Sequence, residues 1–180
     1  LIDAHIHLGD EAALAAYLAH GVTGVRNMSG YPFHLRLSER IVTGELLAPD
    51  FITTGPILNG RGPNETILQR TIASGDEARA SVQAQHDAGY RALKIYSNLT
   101  REAFEAIIDE ANRLGMSVAG HSPEGVRTKG VPRERPFDIP WEQSLGRGLT
   151  TLDHIETIVW HGLRDELDED RMRLLVARLS

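Results

Sequence analysis

The chain has 180 residues, 41% hydrophobic and 24% charged, with a formal net charge of -6 and no cysteine. That composition suits one globular core and excludes disordered or collagen-like chains; the negative balance argues against a nucleic-acid footprint or a basic membrane face. Without cysteine there are no disulfides and no thiolate metal sites, so a transition metal would need histidine, carboxylate or a rarer ligand.

Short apolar runs alternate with helical patterns along the chain. Leu1 to Leu8 reads as a strand, followed by a helix from about Glu11 to His20 that closes at Gly21. Gly21 to Asn27 gives a second strand, Phe33 to Gly44 a second helix, and Asp50 to Leu58 a third strand before a Gly/Pro/Asn loop. Ser74 with Glu77 has capping-box spacing and opens a helix to about Ala88. Arg91 to Ser97 is the fourth strand. Thr100 caps a helix ending at Gly115, whose Phe104, Ile107, Ile108, Ala111 and Leu114 fall on one face. Ser117 to His121 is the fifth strand. A polar loop, Pro123 to Pro140, and a short helix near Trp141 to Leu145 precede the sixth strand, Thr150 to Ile155. The last helix starts near Asp165.

Six β-α units in alternation imply an α/β fold with a parallel sheet, read as a single domain over 1–180. Two layouts fit: a partial (β/α)8 TIM barrel, or an open doubly wound sheet. No glycine-rich dinucleotide fingerprint follows the first strand, which weakens the cofactor-binding form of the second. No apolar run is long enough to cross a bilayer, so a soluble chain, cytoplasmic or exported, is expected. The chain starts without Met on an apolar run and stops within an amphipathic stretch, Glu166 to Leu179, so the expectation is a piece of a longer protein.

The chemistry concentrates at strand ends. In Asp3-Ala4-His5-Ile6-His7 the two histidines share a face, roughly 6–7 Å apart along the strand, and could converge on one ion. Asp3 would continue that face and accept from a ring N–H; a buried hydrogen-bonded pair is the plainer alternative. His121 and His154 lie near the ends of the fifth and sixth strands, where barrels place active sites. Either alone reads as structural; four strand histidines together do not. His20, His34, His86 and His161 fall in helices or loops and receive no role. Lys94 sits inside an apolar strand, where a buried ammonium is costly; its pKa should fall or it should gain a carboxylate partner. A neutral amine there can take up carbon dioxide as a carbamate, an anionic ligand able to bridge two metal ions. Few spare inward acids are apparent for the ion-pair alternative.

In order, Asp-x-His-x-His, then Lys, His and His on strands one, four, five and six, this set resembles the amidohydrolase superfamily. Gly21-Val-Thr-Gly-Val-Arg-Asn, Thr54-Gly-Pro-Ile-Leu, Leu93-Lys-Ile-Tyr, Val118-Ala-Gly-His-Ser and Leu152-Asp-His-Ile-Glu resemble its imidazolonepropionase-like and prolidase-like branch, which includes Xaa-Pro dipeptidases. The resemblance implies a metal-dependent hydrolase cleaving an amide or peptide bond by a metal-activated hydroxide. His5 and His7 would hold one zinc, His121 and His154 another, and carbamylated Lys94 would bridge them, with one or two divalent ions in all. Tyr96 would donate to the oxyanion or a substrate carboxylate, and Arg26 would bind a carboxylate. Glu156 reads equally as a support for His154 or as a solvated acid. The family's strand-eight Asp and flanking β-sandwich have no counterpart here, and Asn27 stands where relatives commonly have Asp.

The expected partners are a small-molecule or dipeptide substrate and, for the open strand edges, the rest of the barrel or a second copy; no nucleic acid and no membrane are expected. Two other readings remain: a metal-binding or interaction module without turnover, and an open α/β ligand-binding domain in which the histidines are incidental.

Overall fold

The computed structural model describes residues 1–125, 137–145, 147–164 and 166–179. Most of the polar loop expected over 123–140 therefore lies outside the described residues. Strands β1 (Ile2–Ile6), β2 (Gly24–Asn27) and β3 (Asp50–Thr53) form a parallel sheet in the order β1-β2-β3. Strands β4 (Ile57–Asn59), β5 (Gln69–Thr71), β6 (Ala92–Ile95), β7 (Ser117–Gly120) and β8 (Thr151–Leu152) form a second, in the order β5-β4-β6-β7-β8, also parallel.

The third strand expected over 50–58 is thus two pieces. Thr54 N–H still donates to Asn27 O, whereas Gly55 N–H donates to Ala92 O, so the chain changes partner within one residue. Gly55 permits the switch: a Cβ there would lie 2.0 Å from Gln85 Oε1. Pro56 then has no N–H to offer. Counting β3 and β4 as one interrupted strand and setting aside the three-residue β5, which pairs on the side of β4 away from β6, the strands β1, β2, β3/β4, β6, β7 and β8 each neighbour the one before and their order never reverses. A doubly wound sheet reverses; a barrel does not. Strand β5, shortly after the Gly/Pro/Asn loop, was not expected from the sequence.

Helices α1 (Ala12–Ala19), α2 (Pro32–Val42), α3 (Gly75–Asp87), α4 (Arg101–Leu114), α5 (Trp141–Leu145) and α6 (Glu169–Val176) fill the connections. In α3 the Ser74 hydroxyl accepts from Glu77 N–H, and the Glu77 carboxylate reaches back to Ala73 N–H. In α4 Thr100 accepts from Ala103 N–H and Gly115 closes the helix at φ 67°. The apolar face of α4 packs with α3 and the second sheet into a core around Leu93, Ile95, Phe104, Ile107 and Val118. A smaller cluster, Ile6, Leu8, Leu14, Val25, Leu37 and Phe51, lies outside the first sheet. The last helix starts from the Asp168 cap rather than near Asp165, which is outside the described residues. Among the described residues no helix is long and apolar enough to cross a membrane.

Candidate active site

Side chains from both sheets meet at the C-terminal strand ends. Lys94 points inward from β6 with its side chain fully buried. His121 follows β7, and His154 follows β8, which ends two residues earlier. The rings of His121 and His154 stack at 4.0 Å, His154 meets His5 at 4.8 Å, and Tyr96 meets His121 at 4.0 Å. His5 Nε2 lies 3.3 Å from His7 Nε2, and His7 Nδ1 lies 2.8 Å from Ser29 Oγ. The five expected ligands and Tyr96 are therefore brought together.

The register of β1 corrects one expectation. A bulge between Asp3 and Ile6 breaks the alternation, so Asp3 pairs with Val25 and does not continue the histidine face. Its carboxylate accepts the backbone N–H of His5 at 3.2 Å, not a ring N–H.

Asp153 is the residue the sequence reading passed over. Its carboxylate, with the side chain only 2% exposed, receives Arg26 Nη2 at 2.8 Å and Thr151 Oγ1 at 2.9 Å on Oδ1. Oδ2 lies 3.4 Å from both Lys94 Nζ and His5 Nδ1. Few inward acids are apparent in the sequence, but Asp153 is one, and it is the ion-pair partner of Lys94. Arg26 also donates to Ala4 O and Thr151 Oγ1, so the carboxylate it grips is the protein's own. Strict alternation along a strand would place residue 153 on the face opposite His154, which is why Asp153 draws no notice in the sequence. With β8 ending at Leu152, both now turn toward the site. Strict alternation fails where the ladder stops.

Burial, then the charges of His154 and Lys94, push His121 down to about 2, and burial with Lys94 pushes His5 down to about 4. Burial first, then Lys94, also lowers His7. Burial pulls Lys94 down to about 8 against the opposing pull of Asp153. His5, His7 and His121 thus favour the neutral form, with lone pairs to offer. His5 Nδ1 and His154 Nε2 are buried with no hydrogen-bond partner. Among the described residues no three His, Asp or Glu side chains already stand as a coordination cluster; the rings contact one another instead. Glu156 is exposed yet lies 3.1 Å from His154 Nδ1, which joins the two roles weighed for it.

The remaining histidines are accounted for without chemistry. His34 is buried and bonds Leu8 O; His161 is buried between Ser122 Oγ and Ile139 O; His20 bonds Ala16 O at the end of its helix; His86 lies 3.4 Å from the Asp87 carboxylate on α3. Asn27, at the position where Asp is common in relatives, is fully buried, accepting from Leu8 N–H and donating to Thr53 Oγ1. That double duty needs an amide.

A cavity of about 610 Å³ lies against α3 and includes none of the converging residues. Two smaller ones, about 270 and 410 Å³, open beside His121.

No family model matches the sequence, and no curated protein matches it. Solved structures do. A bottromycin amidohydrolase superposes with a TM-score of 0.75 over 99% of this chain and 36% of its own, at 23% identity. A putative prolidase from Bifidobacterium longum gives 0.60 over 84% of this chain and 39% of its own, at 26% identity. The chain has an amidohydrolase fold of the prolidase-like kind. A Xaa-Pro dipeptidase with bound methionine in its active site gives 0.67 over 99% of this chain and 51% of its own, at 18% identity. The chain spans between about a third and a half of the length of these structures, and in them the same fold is found in hydrolases of amide and peptide bonds.

Proposed function

We propose that this amidohydrolase-like chain carries the metal-binding part of a hydrolase that cleaves amide or peptide bonds. The observation that carries the reading is the meeting of His5, His7, His121 and His154 around buried Lys94, with two buried ring nitrogens, His5 Nδ1 and His154 Nε2, that make no hydrogen bond. Neutral, inward imidazoles suit a divalent ion, zinc first, bound once or twice. When bound, such an ion supplies hydroxide at neutral pH and polarises a carbonyl.

The chain's own residues prepare that chemistry. His5 with His7, and His121 with His154, would hold the ions. Lys94, which burial pulls down to about 8, would serve as the bridging ligand in its carbamate form. Arg26 keeps Asp153 in place, and Asp153 pairs with the ammonium form of Lys94. Tyr96, against His121, is placed to donate its hydroxyl to an oxyanion or a substrate carboxylate. The substrate would be a small molecule or dipeptide. Ile2 and Ile52 are 80% and 60% exposed on the inner face, which supports a covering partner: further barrel strands or a second copy. Sedimentation as a monomer at micromolar concentration would count against that partner.

The test is zinc content by plasma emission after loading and dialysis, with hydrolysis of Xaa-Pro dipeptides and N-acyl amino acids alongside. His121→Ala and His154→Ala should each lose zinc at least about tenfold in affinity. Unchanged zinc binding in both variants sinks the metal reading. Labelling with ¹³C-bicarbonate should give a carbamate resonance that Lys94→Arg abolishes.

A further inference from the structure

The two cavities beside His121 share a second wall, Trp160. One is closed by Asn64, Glu65, Thr66 and Tyr96; the other by Glu156, Thr157 and Val159. Trp160 and Val159 belong to a single turn of π-helix, Ile158–Gly162, which begins four residues after His154. Such wide turns recur at functional sites because the extra residue re-aims side chains.

This turn is anchored from beneath. Trp141 Nε1 donates to Thr157 Oγ1, and the Thr157 hydroxyl donates to His154 O at 2.8 Å. On either side of Val159 and Trp160, Ile158 and His161 are buried, and His161 is held by Ser122 and Ile139 O. The chain is pinned at 157, 158 and 161, which leaves Val159 37% exposed and Trp160 half-buried beside the histidines. Ile155, 66% exposed, extends the apolar surface. Glu65 lines one cavity and Glu156 the other, and their carboxylates disfavour an anion on this side.

We infer that Trp160 and Val159 form a specificity subsite for a neutral aromatic group carried next to the amide that the proposed reaction cleaves. Three rings, Tyr96, His121 and Trp160, border one cavity, and an aromatic group enters it by stacking or edge contact rather than by hydrogen bonding. The subsite rests on the hydrolase reading for its purpose but not for its detection.

Binding without turnover separates the two. N-acetyl-L-phenylalanine amide and N-acetylglycine amide are titrated into the zinc-loaded chain, with tryptophan fluorescence as the signal and calorimetry as a check. Trp141 is buried and serves as a constant background. The phenylalanine compound should bind at least about tenfold more tightly, the order expected for burying one ring. Trp160→Ala and Val159→Ala should each reduce that ratio, Trp160→Ala nearly to one, while Trp160→Phe restores most of it and zinc content stays constant. Equal binding of the two amides, or a ratio that survives Trp160→Ala, overturns the subsite. A preserved ratio in a chain whose zinc binding is unchanged by His121→Ala and His154→Ala would leave the subsite standing and remove the metal-hydrolase reading.

Discussion

The two sheets of this molecule are built to different standards. Around β4 to β8 the described core runs from Leu58 through Ile107 to Ile139, with α3 and α4 packed over it. Around β1 to β3 the cluster is six residues, and the opposite face leaves Ile2 and Ile52 exposed. Yet His5, His7 and Arg26 come from the weaker side, and Lys94, His121, Asp153 and His154 from the stronger. The site is the seam between a well-buried half and a thinly buried one. Its geometry therefore depends on contacts that cross the seam, above all Arg26 to Asp153.

The comparison breaks first in the cores. Ile107 is fully buried in the larger core, and Ile107→Ala should cost about 4 kcal/mol of unfolding free energy. Leu37→Ala, in the smaller cluster, should cost about 2 kcal/mol because a thin layer can collapse into the gap. Urea midpoints at constant slope check the pair. An equal loss at both sites would show that the halves are equally well packed.

Next comes the seam itself. Asp153→Ala leaves Lys94 and Arg26 facing each other without a carboxylate, at a cost of about 3 kcal/mol. A double-mutant cycle of Asp153→Ala with Arg26→Met should give a coupling of about 1–3 kcal/mol. A coupling near zero would mean that the halves dock without this pair. Gly120→Ala strikes the seam from the strong side. Its φ is 134°, and a Cβ would sit 2.3 Å from Ile95 O and 2.9 Å from Lys94 Cδ, so about 2 kcal/mol and a displaced His121 are expected. Zinc titration reports the displacement separately from the stability loss.

What could be read from the sequence follows the same division. The strong half was legible because its signals are local: the Ser74 and Thr100 caps, the Gly115 stop, the apolar face of α4, and a lysine within Leu93-Lys-Ile that had to be buried. The barrel and the meeting of His5, His7, Lys94, Tyr96, His121 and His154 were legible through the order of those residues along the strands and its resemblance to the amidohydrolase superfamily. The losses occur where regular geometry stops. Asp3 was misassigned because a bulge, invisible in a five-residue pattern, shifts the register. The partner switch at Gly55 depends on Gln85 thirty residues later, and β5 has too few residues to show a period. Asp153 was missed because β8 has two residues, and Trp160 because a π turn has no helical period of its own. Long-range pairing, as in Arg26 with Asp153, leaves no local trace at all.

The smallest expected effect is the dependence of metal-free stability on pH, and its sign follows from the lowered histidines. His5 and His121 titrate at about 4 and about 2 in the fold, against about 6.5 in the unfolded chain. Above about pH 6.5 both are neutral in either state, and their environment costs nothing. As the pH falls from there toward 4, the unfolded chain takes up protons that the fold refuses, so stability declines. Lys94 acts in the same direction in a higher window: between about 10.5 and 8 the unfolded amine is protonated first, so stability also declines as the pH falls through that range. Urea midpoints of the metal-free chain should therefore fall from pH 7 to pH 5, and His121→Asn should flatten that slope. The same substitution should leave the slope between pH 8 and 10 intact, because Lys94 keeps its burial and its Asp153 partner. If His121→Asn flattens neither window, the imidazole is not held neutral by burial against His154 and Lys94, and the seam is more open to water than its packing indicates.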